Sequence, residues 1–134
     1  MSRLALFLLL CGSAVACSSS TEPQQQISHV NVSLQQAPGD PLTTTAHAVD
    51  GGVLVEGSVG GACVGVPITA TAQRTDSLVE LRVLPTTRPQ CDAGTETVQY
   101  QATLSLAPGG YMVVVEHGVN LELQQVLKEF VTVR

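Results

Sequence analysis

The side chains best suited to bind a metal or to move a proton near neutral pH are His29, His47 and His117. A metal site needs ligands that converge, and none of the three lies within four residues of another histidine, a cysteine or a second carboxylate that would complete a set. Glu116 adjoins His117, but neighbours on a strand point to opposite faces, so the pair chelates only if it falls in a turn. For nucleophilic catalysis, Gly57-Ser58-Val59-Gly60 falls short of the Gly-x-Ser-x-Gly elbow that lifts a serine out of a sharp strand-to-helix turn. Asp92 and Glu96 can meet across a loop, yet nothing around them shelters a carboxylate enough to shift its proton affinity. The pairs Gly51-Gly52 and Gly109-Gly110 are turn glycines rather than phosphate cradles, because no helix start follows either. The expectation is a chain with no catalytic residues, no cofactor and no metal.

Where a site must come from is further narrowed by what surrounds these residues. Outside the first few residues the aromatics are only Tyr100, Tyr111 and Phe130, which leaves little for stacking a sugar or a single-stranded nucleic acid. The formal net charge is −5 with the acidic and basic residues scattered, so there is no footprint for nucleic acid.

Met1-Ser2-Arg3 is a short basic start, and Leu4 to Leu10 is an apolar run of the length of a signal-peptide core, well short of the roughly 20 residues that span a bilayer. The small residues Gly12, Ser13, Ala14 and Ala16 follow, and then Cys17. The stretch Ala14-Val15-Ala16-Cys17 resembles a bacterial lipobox, with Ala14 where leucine is usual. The resemblance implies that residues 1–16 are a lipoprotein signal peptide and that Cys17 carries a diacylglycerol and further acyl chains such as palmitate. Each buried methylene contributes about 0.8 kcal/mol, so several chains on one cysteine make release from a membrane negligible. Ser18 rather than Asp after the cysteine implies the outer membrane if the cell is Gram-negative. The alternative is an ordinary secretory signal with an Ala-x-Ala cut, leaving Cys17 a free thiol.

With the leader removed, Arg3 goes with it and the formal net charge moves from −5 to −6. Cys11 is discarded, Cys17 is the anchor, and Cys63 and Cys91 remain as a pair in an exported domain, where a disulfide is predicted. Closing a loop of about 29 residues removes roughly 3.5 kcal/mol of unfolded-state freedom in the chain-entropy account. The loop 85–94, tied by that bridge, carries Arg88-Pro89-Gln90 and is the one segment shaped to enter an enzyme cleft as an inhibitor or accessory contact.

The elements that hold these residues are strands. Residues 17–26 are Ser, Thr, Glu, Pro and Gln after the lipidated cysteine, a flexible tether with a root-mean-square span of about 16 Å. Residues 27–134 form the domain. Val30, Val32 and Leu34 alternate with polar residues in a strand over 27–34. A Thr-rich segment, 42–49, leads to a turn at Asp50-Gly51-Gly52, and a second strand over 53–59 runs into Gly60-Gly61, which marks a bulge or close backbone approach. A hairpin over 66–84 turns at Arg74-Thr75-Asp76, with Leu78 or Val79 and Leu81 or Val83 facing the core. Strands over 97–106, 111–116 and 124–133 complete the chain. The last also fits a helical face through Leu123, Val126, Leu127 and Phe130, but the β-branched run Val131-Thr132-Val133 favours a strand. About seven short strands without a helix predict an all-β, two-sheet antiparallel sandwich.

In Leu104-Ser105-Leu106-Ala107-Pro108-Gly109-Gly110-Tyr111-Met112-Val113-Val114-Val115, a tyrosine opens the penultimate strand after a Pro-Gly turn. The stretch resembles the closing strands of bacterial immunoglobulin-like domains, which implies that the Tyr111 hydroxyl bonds back to upstream backbone as a structural corner. His117-Gly118 stands where many relatives have an Asn-Gly turn. Taken with the leader and the two cysteines, the chain is similar to small bacterial envelope lipoproteins built of one such domain. That implies a membrane partner through the N-terminal lipid and an envelope protein or polymer partner for a non-catalytic interaction or structural module.

Replacing the anchor tests the address: Cys17→Ser protein is expected to accumulate unprocessed or to leave the membrane fraction. A Cys17→Ser protein that still matures and stays with the membrane overturns the lipid reading.

Overall fold

The computed structural model describes residues 25–86, 90–119 and 122–134, so the leader, Cys17, most of the tether and Arg88 lie outside the described residues. The period-two alternation of the chain becomes nine strands, with no helix among the described residues: β1 (Ile27–Val30), β2 (Val32–Pro38), β3 (Thr45–Val49), β4 (Gly52–Cys63), β5 (Ile68–Thr75), β6 (Leu78–Pro85), β7 (Thr95–Ser105), β8 (Gly109–Val119) and β9 (Glu122–Val133). They form a five-stranded sheet in the order β1-β5-β6-β8-β9 and a four-stranded sheet in the order β2-β7-β4-β3. Val53, Val55 and Val59 of β4 and Val98, Tyr100, Ala102 and Leu104 of β7 face Val79, Leu81 and Val83 of β6 and Tyr111, Val113 and Val115 of β8 in one core. The expected all-β two-sheet sandwich therefore forms, and of the two faces open for β6 it is Val79, Leu81 and Val83 that turn inward.

Nine strands rather than about seven arise because pattern alone does not show where a chain changes sheet. The alternation over 27–34 is unbroken, but at Asn31 the chain passes from the edge of the five-stranded sheet to the edge of the four-stranded one, so that β1 pairs with β5 and β2 with β7. The Asn31 carbonyl accepts the Ser105 N–H at 3.1 Å across that step. The Thr-rich segment supplies β3, which buries Ala46 against the core.

One pairing departs from the expected antiparallel pattern: β6 and β8 run parallel, from Leu78 opposite Met112 to Val83 opposite His117. The cause is connectivity. The chain leaves the five-stranded sheet after β6, runs back along the other sheet as β7 and returns as β8, so it re-enters in the direction in which it left. A link through the opposite sheet supplies the long crossover that parallel neighbours need. The β5–β6 hairpin also turns later than expected, at Asp76-Ser77, with Thr75 opposite Leu78 and Asp76 at φ 54°, a left-handed conformation that aspartate tolerates.

The bulge foreseen at Gly60-Gly61 is present as a register shift between Val59 and Ala62, with Gly61 at φ 77°. Just beyond it, Cys63 is bonded to Cys91 with a Cα–Cα distance of 5.1 Å. The same corner is clamped by the Gly65 N–H donating to Glu96 Oε1 at 3.0 Å and the Val64 N–H donating to the Gly94 carbonyl at 3.2 Å.

Gly52 is a residue the sheet cannot exchange, because a Cβ there would collide with the Leu104 carbonyl oxygen of the paired β7 backbone. Gly52→Ala is expected to cost about 1–3 kcal/mol through forced backbone shifts, and Leu81→Ala about 2–5 kcal/mol through the cavity it leaves. Urea unfolding of both variants checks this; a Gly52→Ala protein as stable as the parent would contradict the close approach.

Candidate functional site

Placed in the fold, the three histidines part company. His29 is exposed on β1 at one edge of the five-stranded sheet, and His47 is exposed on β3 at the edge of the other sheet. His117 is not in a turn beside Gly118 but within β8, in phase with the inward residues Tyr111, Val113 and Val115, and it is buried. Among the described residues no three His, Cys, Asp or Glu side chains gather into a ligand set. Glu96 is engaged by the Gly65 N–H, while Asp92 is exposed in the turn before β7. Gln90 is exposed beside the disulfide, and Arg88 lies outside the described residues. Cys63 and Cys91 are joined as described above, and the Tyr111 hydroxyl donates to the Ala107 carbonyl at 2.9 Å, closing the turn that starts β8.

His117 brings a polar contact into the core that sequence reasoning missed. Its Nε2 lies 2.8 Å from the Tyr100 hydroxyl, so the contact joins the two sheets through β8 and β7. The rings meet edge to face, with centroids 5.6 Å apart. Burial lowers the His117 pKa and favours the neutral imidazole, whose tautomer sets which of the two groups donates. Burial also pushes the Tyr100 pKa up to about 12, partly opposed by a hydrogen bond from Thr44. Gly57 makes the room: a Cβ there would stand 2.8 Å from Thr44 Oγ1 and 2.9 Å from the Tyr100 hydroxyl. The signal available in the sequence was the period-two phase from Tyr111 to His117, which marks residue 117 as inward.

The outer face of the four-stranded sheet carries a shallow cleft of about 500 Å³, lined by Gln35, Gln99, Gln101, Glu56, Thr45 and neighbouring residues. It exists because β2 and β3 occupy opposite edges, so the linking segment, residues 39–44, must cross β7 and β4. Gln99 Nε2 donates to the Asp40 carbonyl at 2.9 Å, and the Ser58 hydroxyl bonds both the N–H and the carbonyl of Leu42, at 2.7 and 3.2 Å. Gln101 Nε2 donates to Glu56 Oε1 at 2.7 Å. Gln99 and Ser58 hold the crossing segment down, and what remains of the cleft is able to hydrogen-bond a polar ligand.

At one flank the edge strands of the two sheets, β9 and β3, lie beside each other. Edge strand β9 exposes Leu123, Val126 and Phe130, while Leu127 packs on the core. A bulge between Val115 and Glu116 leaves Val126 without a partner across the ladder. No family model matches this chain, and neither a curated protein nor a solved structure does.

The buried pair makes stability depend on pH. His117 has its folded pKa below the unfolded value of 6.5, so the unfolded chain binds the extra proton and stability falls as pH drops below about 6.5. At the alkaline end the raised Tyr100 pKa acts with the same logic: its contribution is complete below 10.0 and is lost as pH rises towards about 12. Tyr100→Phe leaves His117 Nε2 buried without its hydrogen-bond partner and is expected to cost about 1–3 kcal/mol. Urea unfolding at about pH 7 and about pH 5 should show a loss on acidification that His117→Gln removes; an undiminished loss in that variant assigns the acid sensitivity elsewhere.

Proposed function

We propose that this chain is a bacterial envelope lipoprotein, anchored by lipid on Cys17, whose sandwich is a non-catalytic interaction module engaging a partner polypeptide. The observation that carries this reading is the edge strand β9. It pairs on one side only, with β8, and most of its 12 residues are exposed. Edge strand β3 lies beside it, so one flank of the sandwich offers two strands with unpaired backbone groups.

An edge of this length is normally blunted, because its free N–H and C=O groups invite another strand. Here the bulge at Val126 and the charge of Lys128 guard the first half. The second half, Glu129 to Val133, keeps a regular register against Gly109 to Val113. A strand added there gains main-chain hydrogen bonds, with alternate side chains setting specificity. A polypeptide supplies such a ladder and a polysaccharide does not, which favours the protein partner over the polymer.

Photo-crosslinking in intact cells tests this. A probe replacing Glu129 on β9 should give a discrete protein adduct, and a probe replacing Asn31 on the opposite flank should not. Equal adducts from both positions, or a hydrolytic turnover of the purified protein that disappears on replacing one Ser, His or carboxylate, removes the reading.

A further inference from the structure

Four pairings place five residues in one line across the whole outer face of the five-stranded sheet: Ile27 opposite Thr75, Thr75 opposite Leu78, Leu78 opposite Met112, and Met112 opposite Phe130. Ile27 and Phe130 are each 62% exposed and Leu78 36%, with Met112 and Thr75 half-buried between them. Phe130 leans along this face over Gly110, where a Cβ would come within 2.6 Å of its ring. The neighbouring line is polar at four of its five positions: His29, Gln73, Glu80, Val114 and Lys128. Beyond it Arg82 and Glu116 are paired at 2.9 Å. Four apolar side chains and Thr75 thus form a strip one residue deep and five strands wide, roughly 19 Å at the usual strand spacing.

We infer that this strip, Ile27–Leu78–Met112–Phe130, is seated on the lipid surface that holds Cys17, at the boundary between headgroups and acyl chains. The inference rests on the lipid-anchor reading. Position argues for it first: the strip begins at Ile27, where the chain enters the domain, and ten residues of backbone from Cys17 reach at most about 35 Å. The anchor therefore keeps this end of the sandwich within about 35 Å of the bilayer.

Size argues for it second. A strip of a few hundred Å² falls well below the roughly 800 Å² per partner of a stable protein interface, and its Ile, Leu, Met and Phe lack the Trp, Tyr and Arg anchors typical of one. Against a bilayer the same strip needs little affinity of its own, because the anchor makes contact intramolecular at high effective concentration. The strip itself is uncharged, so the contact asks for no anionic lipid. Seated in this way, the domain turns its four-stranded sheet away from the membrane.

The chain has no tryptophan, so single substitutions report depth. Full-length lipidated Phe130→Trp protein and, separately, His47→Trp protein would be reconstituted in phosphatidylethanolamine–phosphatidylglycerol vesicles with brominated acyl chains. Emission from position 130 should be quenched severalfold more than from position 47. Adding Leu78→Glu to the Phe130→Trp protein should abolish the difference while the protein still sediments with the vesicles; Ile27→Glu at the sheet edge serves the same purpose if Leu78→Glu fails to fold. Equal quenching at the two positions in sedimenting protein overturns the seat and leaves the anchor standing. Protection of the indole at position 130 that appears only with rising protein concentration, without bromine quenching, also overturns it and assigns the strip to a second copy. Protein that does not sediment with vesicles overturns the anchor, and the seat with it.

Discussion

Two sheets are held apart by little more than valine. Of the nine largest fully buried side chains, seven are Val53, Val55, Val59, Val79, Val83, Val113 and Val115, and the others are Leu81 and Leu104. Such short, β-branched side chains fill the gap only where the sheets stack closely and every strand keeps its register, since a slip of one residue would turn a whole row to solvent. The side chain most at odds with this gap is Tyr100, whose hydroxyl reaches the far sheet. Gly57 yields the space for it, and His117 satisfies it across the gap. Removing the Tyr100 hydroxyl would leave His117 Nε2 buried without its partner, a costly state.

The same need for close stacking divides the outer surfaces. Because β2 and β3 lie on opposite edges of the four-stranded sheet, their link must cross its outer face, and Gln99 and Ser58 hold it there. That face is therefore partly covered and polar. Among the described residues no link crosses the outer face of the five-stranded sheet, since its hairpins β5–β6 and β8–β9 join neighbours. Its middle is occupied by polar and paired groups, and the line from Ile27 to Phe130 lies at the end where the chain enters.

The sheet edges follow from the chain path as well. Splitting the N-terminal segment at Asn31 lets a single stretch line one flank of both sheets, with the Gln36 side chain accepting from the Ile68 N–H at 2.8 Å to tie β2 to β5. At the opposite flank β9 and β3 lie beside each other as edge strands, each paired on one side only.

Local chemistry was enough to determine much of this molecule. Alternation marked the strands and most of the core, Cys63 and Cys91 marked the bridge, Gly60-Gly61 marked the bulge, and the turn before Tyr111 marked a corner whose hydroxyl bond to Ala107 is present. The lipobox-like Ala14 to Cys17 is information of the same local kind, carried by residues outside the described structure. Period two says that a strand has a buried face; it does not say which strand lies beside it. The change of sheet at Asn31, the parallel pairing of β6 with β8, the meeting of Tyr100 with His117 and the apolar line from Ile27 to Phe130 were settled only by tertiary structure. Each depends on residues far apart in the chain, joined by ladder hydrogen bonds and core packing that no local run of residue types encodes.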